Sequence, residues 1–166
     1  MTIEPLRLSH SFAGSPEEVF DAWTNPEVLT RWWAMRPTWT SPGCEVDLRV
    51  GGRYRLQMQD DVTGQIYAVG GEYREIERPR RLVYTWRLDE ASSLHAGHVS
   101  LVTIEFVPHG DRTTVLLEHG ELPSAESVAA HSAGWHGMFD NLGARIFIED
   151  PDTTTGGAHR TCRISS

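Results

Sequence analysis

Hydrophobic and polar positions alternate along most of this chain, and two stretches break that rule. Between Ile3 and Phe12, Leu6, Leu8, His10 and Phe12 share one parity, which predicts a first strand. Ser15-Pro-Glu-Glu-Val-Phe then switches to helical spacing. Ser15 suits an N-cap, Pro16 the first helical position and Glu18 the closing position of a capping box. Val19, Phe20 and Trp23 form the apolar stripe. The pattern repeats at once: Asn25 caps, Pro26 opens, and Val28, Leu29, Trp32 and Trp33 follow. Two short helices are expected, over Pro16 to Trp23 and Pro26 to Trp33.

Trp39 to Gly43 reads as a connection, Cys44 to Val50 as a strand and Gly51-Gly52 as a turn or bulge. Arg53 to Gln59 alternates cleanly, with Tyr54, Leu56 and Met58 on one face and Arg53, Arg55, Gln57 and Gln59 on the other. Asp60 to Gln65 is a hairpin turn. Gln65 to Glu77 is a long strand carrying Tyr67, Val69, Gly71 and Tyr73, and Pro79 ends it. Arg81 to Leu88 places Leu82, Tyr84 and Trp86 together, and Asp89 to Gly97 is a polar loop. His98 to Pro108 aligns Val102, Ile104 and Phe106. A tight turn over His109 to Arg112 leads to Thr113 to His119, with Val115, Leu117 and His119 aligned.

The second break is a run from Ser124 to about Ile148, where Val128, Trp135, Met138, Phe139, Leu142, Ile146 and Phe147 recur at helical spacing. At ~1.5 Å per residue such a helix is about 36 Å long, enough to cross a small domain. Beyond Glu149 the periodicity vanishes, and residues 151–166 are expected to be a flexible tail outside a single domain over residues 1–150.

The order strand, two helices, antiparallel meander, long helix predicts an α+β fold. A twisted sheet with one apolar face must bury that face, and the long helix is the available partner. A helix and a curved sheet touch along a line and diverge on either side, so a cavity between them is expected. Sorting by parity gives its lining: Leu56, Met58, Tyr67, Tyr73, Tyr84, Trp86, Val102, Ile104, Leu117 and His119 from the strands. The long helix adds Trp135, Phe139 and Leu142, and the short helices add Trp32 and Trp33 near the mouth. Each of these residues also has a plain reading as core. His119 is the one ionisable side chain in register with the inner face. It reads either as a buried histidine satisfied by a hydrogen bond or as a polar anchor for a ligand.

Composition narrows the function. Hydrophobic residues make up 39% and charged residues 23% of the 166 positions, an ordinary globular balance. A formal charge of -8 disfavours nucleic acid and anionic membranes. No apolar run approaches ~18 residues, and no signal peptide is visible, so a cytoplasmic location without membrane insertion is expected. The two cysteines, Cys44 and Cys162, are far apart, which argues against a disulfide framework. His95 and His98 have a metal-like spacing but no third ligand nearby, and His131 and His136 are five apart. No phosphate loop, nucleophile motif or cofactor signature is present, so neither catalytic residues, metal nor cofactor are assigned.

Several segments carry a family resemblance. They are Ser15-Pro-Glu-Glu-Val-Phe-Asp-Ala-Trp, Trp32-Trp33, Gly51-Gly52-Arg-Tyr, Gly71-Glu-Tyr-Arg-Glu-Ile, Arg81-Leu-Val-Tyr-Thr-Trp, Thr113 to Gly120, and Gly134-Trp135. In this order they resemble the helix-grip superfamily (SRPBCC), which includes START lipid-transfer domains, birch-pollen-type allergens and polyketide cyclases. The branch they are most similar to is the bacterial homologues of the activators of the heat-shock-protein-ninety ATPase. The resemblance runs from about Leu6 to Ile148. It implies one domain with a hydrophobic cavity, and little about activity. Three functions follow as expectations, in order. The first is binding of a small apolar or aromatic ligand. The second is a polyketide cyclase or dehydratase-like enzyme using His119 as proton donor or acceptor. The third is a stress-response or chaperone accessory, ranked last because no additional chaperone-gripping domain is seen here. A homodimer is left open.

Overall fold

The computed structural model describes residues 3–89 and 97–149. Seven strands form one sheet in the order β1-β7-β6-β5-β4-β3-β2. The strands are β1 (Leu6–Phe12), β2 (Cys44–Val46), β3 (Arg53–Gln59), β4 (Ile66–Glu77), β5 (Arg81–Leu88), β6 (Val99–His109) and β7 (Arg112–Gly120). Every neighbouring pair is antiparallel. Helices α1 (Pro16–Thr24) and α2 (Pro26–Trp32) follow β1, and α3 (Ala125–Arg145) follows β7. This is the α+β helix-grip architecture: a curved antiparallel sheet around a long C-terminal helix.

The short helices start as their sequence dictates. The Ser15 side chain accepts from Glu18 N, and Glu18 in turn accepts from Ser15 N, the complete capping box. Asn25 ends α1 and caps α2 through its own side chain. Buried faces of both helices carry Val19, Phe20, Trp23, Leu29 and Trp32 into the core.

Three elements differ from the sequence reading. Strand β2 stops at Val46 rather than Val50. Arg49 N donates to Asp47 O, and Gly52 N to Arg49 O, so the chain turns there, with Gly51 at φ +85°. Leu48 and Val50 consequently face solvent. Helix α3 ends at Arg145, three residues short of Ile148. Phe147 folds back on β1, its ring 5.9 Å from Phe12 and against Gly14, and Glu149 forms an ion pair with Arg112. Ile148 is exposed. Strand β4 bears a β-bulge between Tyr73 and Glu75, which alternation alone cannot reveal. Most of the polar loop before β6, with His95, and the segment 151–166 lie outside the described residues.

Helix α3 is fastened most firmly at its C-terminal half. The Asn141 side chain donates to Ala34 O and Arg36 O, at 2.7 and 2.9 Å. Arg145 donates to Pro37 O and Trp39 O. Gly137 permits this approach: a Cβ there would stand 2.1 Å from Met35 O.

Candidate ligand-binding interior

Fourteen of the fifteen residues expected to line a cavity are buried, and Tyr67 is half-buried. They gather in a continuous aromatic core. Trp33, Trp86, Trp135 and His119 meet around the middle of α3: Trp86 lies 5.0 Å from Trp135 and 5.2 Å from His119, and Trp33 lies 6.0 Å from Trp135. Tyr54, Tyr73 and Tyr84 form a second group with centroids 5.1–6.0 Å apart. Phe139 joins a third group with Phe12 and Trp23. Leu56 and Met58 on β3, Val102 and Ile104 on β6, Leu117 on β7 and Leu142 on α3 complete the same core. Trp32 and Trp33 lie deep inside rather than at a mouth, because α2 turns its indoles onto Trp23 and Trp86. Tyr67 stacks on Trp39 at the far edge, with the rings 3° from parallel.

The space between α3 and the sheet is closed by these side chains. One small hollow near the start of α3 has a volume of about 10 Å³. Its walls include Trp86, Ser100, Leu122, Ser127 and His131. That is room for at most one water molecule.

Polar groups inside this core are ordered by tryptophan. Trp135 Nε1 donates to His119 Nδ1 at 3.1 Å. An indole N–H only donates, so Nδ1 is the unprotonated nitrogen of a neutral ring. His119 Nε2 therefore carries the proton and donates to Ser100 Oγ at 2.7 Å; that hydroxyl donates to Trp86 O. Burial, with a smaller push from His131, lowers the His119 pKa to about 3. The parallel pair is Trp86 Nε1 donating to His131 Nε2 at 3.2 Å, while His131 Nδ1 donates to Ser127 O at 2.8 Å. The two imidazoles lie 4.9 Å apart.

Among the described residues, three buried polar atoms form no well-made hydrogen bond: Trp33 Nε1, and Trp23 Nε1 with the Tyr84 hydroxyl that it faces. Burial raises the Tyr84 pKa far above its ordinary value, and the Trp23 indole N–H beside the hydroxyl opposes part of that rise. Tyr54 differs, since its hydroxyl donates to Thr85 O.

Sequence reasoning found His119 and Trp135 but missed His131 and Ser100 as their companions, and missed Trp23 beside Tyr84. A signal existed for His131. It lies four residues before Trp135 on α3, so both share the face that meets the sheet. Among the described residues no group of three His, Cys, Asp or Glu side chains is placed to hold a metal ion. His98 instead contacts Glu121 O through Nε2. Among the described residues no helix is long and apolar enough to cross a membrane.

A curved sheet gripping a helix, with an aromatic interior, defines the helix-grip class. Residues 13–146 match the family described as Activator of Hsp90 ATPase homolog 1-like protein, and the chain belongs to that family. Among solved structures it is similar to protein CV1439 of Chromobacterium violaceum, at 26% identity over 89% of this chain and 100% of that one, with a TM-score of 0.74. The AHSA1 protein of Silicibacter pomeroyi is 27% identical over 84% of this chain and 95% of its own, with a TM-score of 0.72. An HSP90 activator of Plasmodium falciparum, PFC0360w, is 25% identical over 84% and 94%, with a TM-score of 0.63. No curated protein matches the chain.

Proposed function

We propose that this protein binds a small apolar or aromatic ligand between α3 and the inner face of the sheet. The observation that carries this reading is Trp33 Nε1, buried without an acceptor among the described residues, with the poorly satisfied Trp23 Nε1 and Tyr84 Oη nearby in the same largely aromatic and aliphatic interior. A buried polar group without a partner costs ~1–3 kcal/mol. A ligand bearing an acceptor oxygen would relieve that cost while its rings pack on Trp33, Trp86 and Trp135.

Entry requires the closed interior to open. The N-terminal half of α3 is the part that would move. It holds the sheet through the Trp86–His131 contact and borders the small hollow, whereas Asn141 and Arg145 pin the other half. Thermal shift and native mass spectrometry against uncharged aromatic and acyl compounds test the reading. A ligand at a hundredfold excess over its Kd should stabilise the protein by ~2.7 kcal/mol. Uniformly flat shifts across a broad library would refute it.

A proton-transfer role for His119 is not part of this proposal. Both its ring nitrogens are engaged, and a pKa of about 3 leaves it unable to take a proton near neutrality. A chaperone-accessory role is suggested by the family's description and by likeness to the Plasmodium activator, and by no feature of the interior described above.

A further inference from the structure

The outer face of the sheet, away from α3, carries a cleft of about 780 Å³ over β3, β4 and β5. Its origin lies in the register. Arg55 on β3 faces Gly70 on β4, and Gly70 faces Arg87 on β5. Outward side chains in such a row are cross-strand neighbours. The missing side chain at Gly70 thus leaves a notch between two arginines. With strands ~4.8 Å apart, their Cα atoms are about 10 Å from each other, and Arg53, two residues further along β3, has its Cα roughly 12 Å from that of Arg87, a span that two extended guanidinium side chains can close on one small group.

Both glycines at this point have a structural cause. A Cβ on Gly71 would stand 2.0 Å from Thr85 O, and one on Gly70 would stand 3.1 Å from Tyr54 O. Packing accounts for the glycines but not for the charges around them. Arg53, Arg55, Arg74 and Arg87 line the cleft with Glu45, Glu72 and Asp89, a local excess of one positive charge on a chain whose net charge is -8. Arg55 pairs with Asp89 at 2.9 Å, and Arg74 approaches Glu72 at 3.9 Å. Among the described residues Arg53 and Arg87 have no ion-pair partner, although Glu72 is directly opposite Arg53 in register. Glu45 stands at the β2 end of the row, beyond Arg55. Between the charges the floor is apolar, built by Ala68 and the half-exposed Val99, which lie opposite the outward Gln57 and Arg87.

We propose that this cleft is a second binding site, separate from the interior, for a small organic anion. A carboxylate or phosphate would be held by Arg53 and Arg87, with the apolar body of the ligand over Ala68 and Val99. The volume lies within the ~300–1,000 Å³ of small-molecule sites. Guanidinium groups offer paired donors to either anion, and Arg53 and Arg87, which form no ion pair with the carboxylates near them, retain those donors for a ligand.

The test is a nitrogen-15 NMR titration of the full chain with 2-naphthoate, 2-naphthyl phosphate and the neutral 2-naphthamide. Saturable shifts at the Gly70, Gly71 and Arg87 amides are expected with at least one anion and not with the amide. The ratio of the two anion affinities tells carboxylate from phosphate. Arg53→Gln combined with Arg87→Gln should weaken binding about tenfold or more, because charge-assisted hydrogen bonds are lost. Both side chains are at the surface, so an unchanged melting temperature shows that the variant is folded. The proposal is overturned if neither anion gives saturable shifts, if the amide binds equally well, or if the double variant keeps full affinity. Shifts confined to the tryptophan indole N–H signals would also overturn it, since they report the interior site.

Discussion

His119 is held neutral by its surroundings, and that has a measurable consequence. Its pKa is about 3 in the folded chain against an ordinary 6.5. Between those values the unfolded chain binds a proton that the folded chain does not. Stability from this residue is therefore full above about pH 6.5 and falls as pH drops towards 3, by at most ~1.4 kcal/mol per unit. Urea unfolding at pH 7 and pH 4 should show a smaller acid loss for His119→Gln than for the parent chain. Equal losses would mean that the ring is solvated. The neighbouring Trp135 separates packing from hydrogen bonding. Trp135→Phe keeps most of the ring and strands His119 Nδ1, at a cost of ~1–3 kcal/mol. Trp135→Ala should cost ~3–5 kcal/mol in the same denaturation experiment. The inward side of Trp135 and His119 was legible from parity and helical spacing. The hydrogen bond between them was not, because a tautomer depends on which elements meet across 16 residues of separation.

At the scale of elements, the two glycines of α3 give a paired test of how the helix docks. Gly137 abuts the backbone of Met35, and Gly134 lies 3.7 Å from the Met35 Sδ, an ordinary contact. Gly134→Ala should stabilise by up to ~1 kcal/mol through helix propensity. Gly137→Ala gains the same propensity but drives a Cβ into a carbonyl, so a net loss towards the upper end of ~1–3 kcal/mol is expected. Chemical denaturation of both variants checks the contrast; a stabilised Gly137→Ala would place the helix elsewhere. The existence and order of the elements could be read from the sequence because alternation, capping residues and apolar stripes are local signals. The ends were less accessible. Strand β2 stops early at a turn made by backbone bonds. Helix α3 stops early because Phe147 is worth more against Phe12 and Gly14 than in another helical turn. The bulge at Tyr73 reflects pairing with β5, a contact between segments that no single segment encodes.

At the scale of the molecule, the two faces of the sheet have separate characters. The inner face is sealed by aromatic packing against α3, and the outer face holds an arginine-lined cleft. The interior was legible as a set of residues, since parity and periodicity identify inward side chains. Its closure was not, because whether large rings fill a space or leave one depends on rotamers and on how close α3 sits. If ligand entry proceeds by release of the N-terminal half of α3, the Trp86–His131 contact is the latch. His131→Ala should then speed amide hydrogen exchange over residues 125–134 while leaving 138–145 protected. Uniform exchange along α3 in both proteins would argue against a hinged helix.

The central claim concerns the buried indoles, and the tryptophan side chains report on it directly. Among the described residues the indole N–H groups of Trp32, Trp86 and Trp135 are hydrogen-bonded, that of Trp33 has no acceptor, and that of Trp23 faces only the Tyr84 hydroxyl. The deciding measurement is the nitrogen-15 spectrum of these indole groups during titration with uncharged aromatic compounds that carry a carbonyl or hydroxyl, such as 2-naphthol. A ligand in the interior should move the Trp33 or Trp23 signal downfield as its N–H gains an acceptor, and leave Trp32 in place. If a compound stabilises the protein and saturates, yet both signals stay where they were, the ligand does not bind between α3 and the sheet.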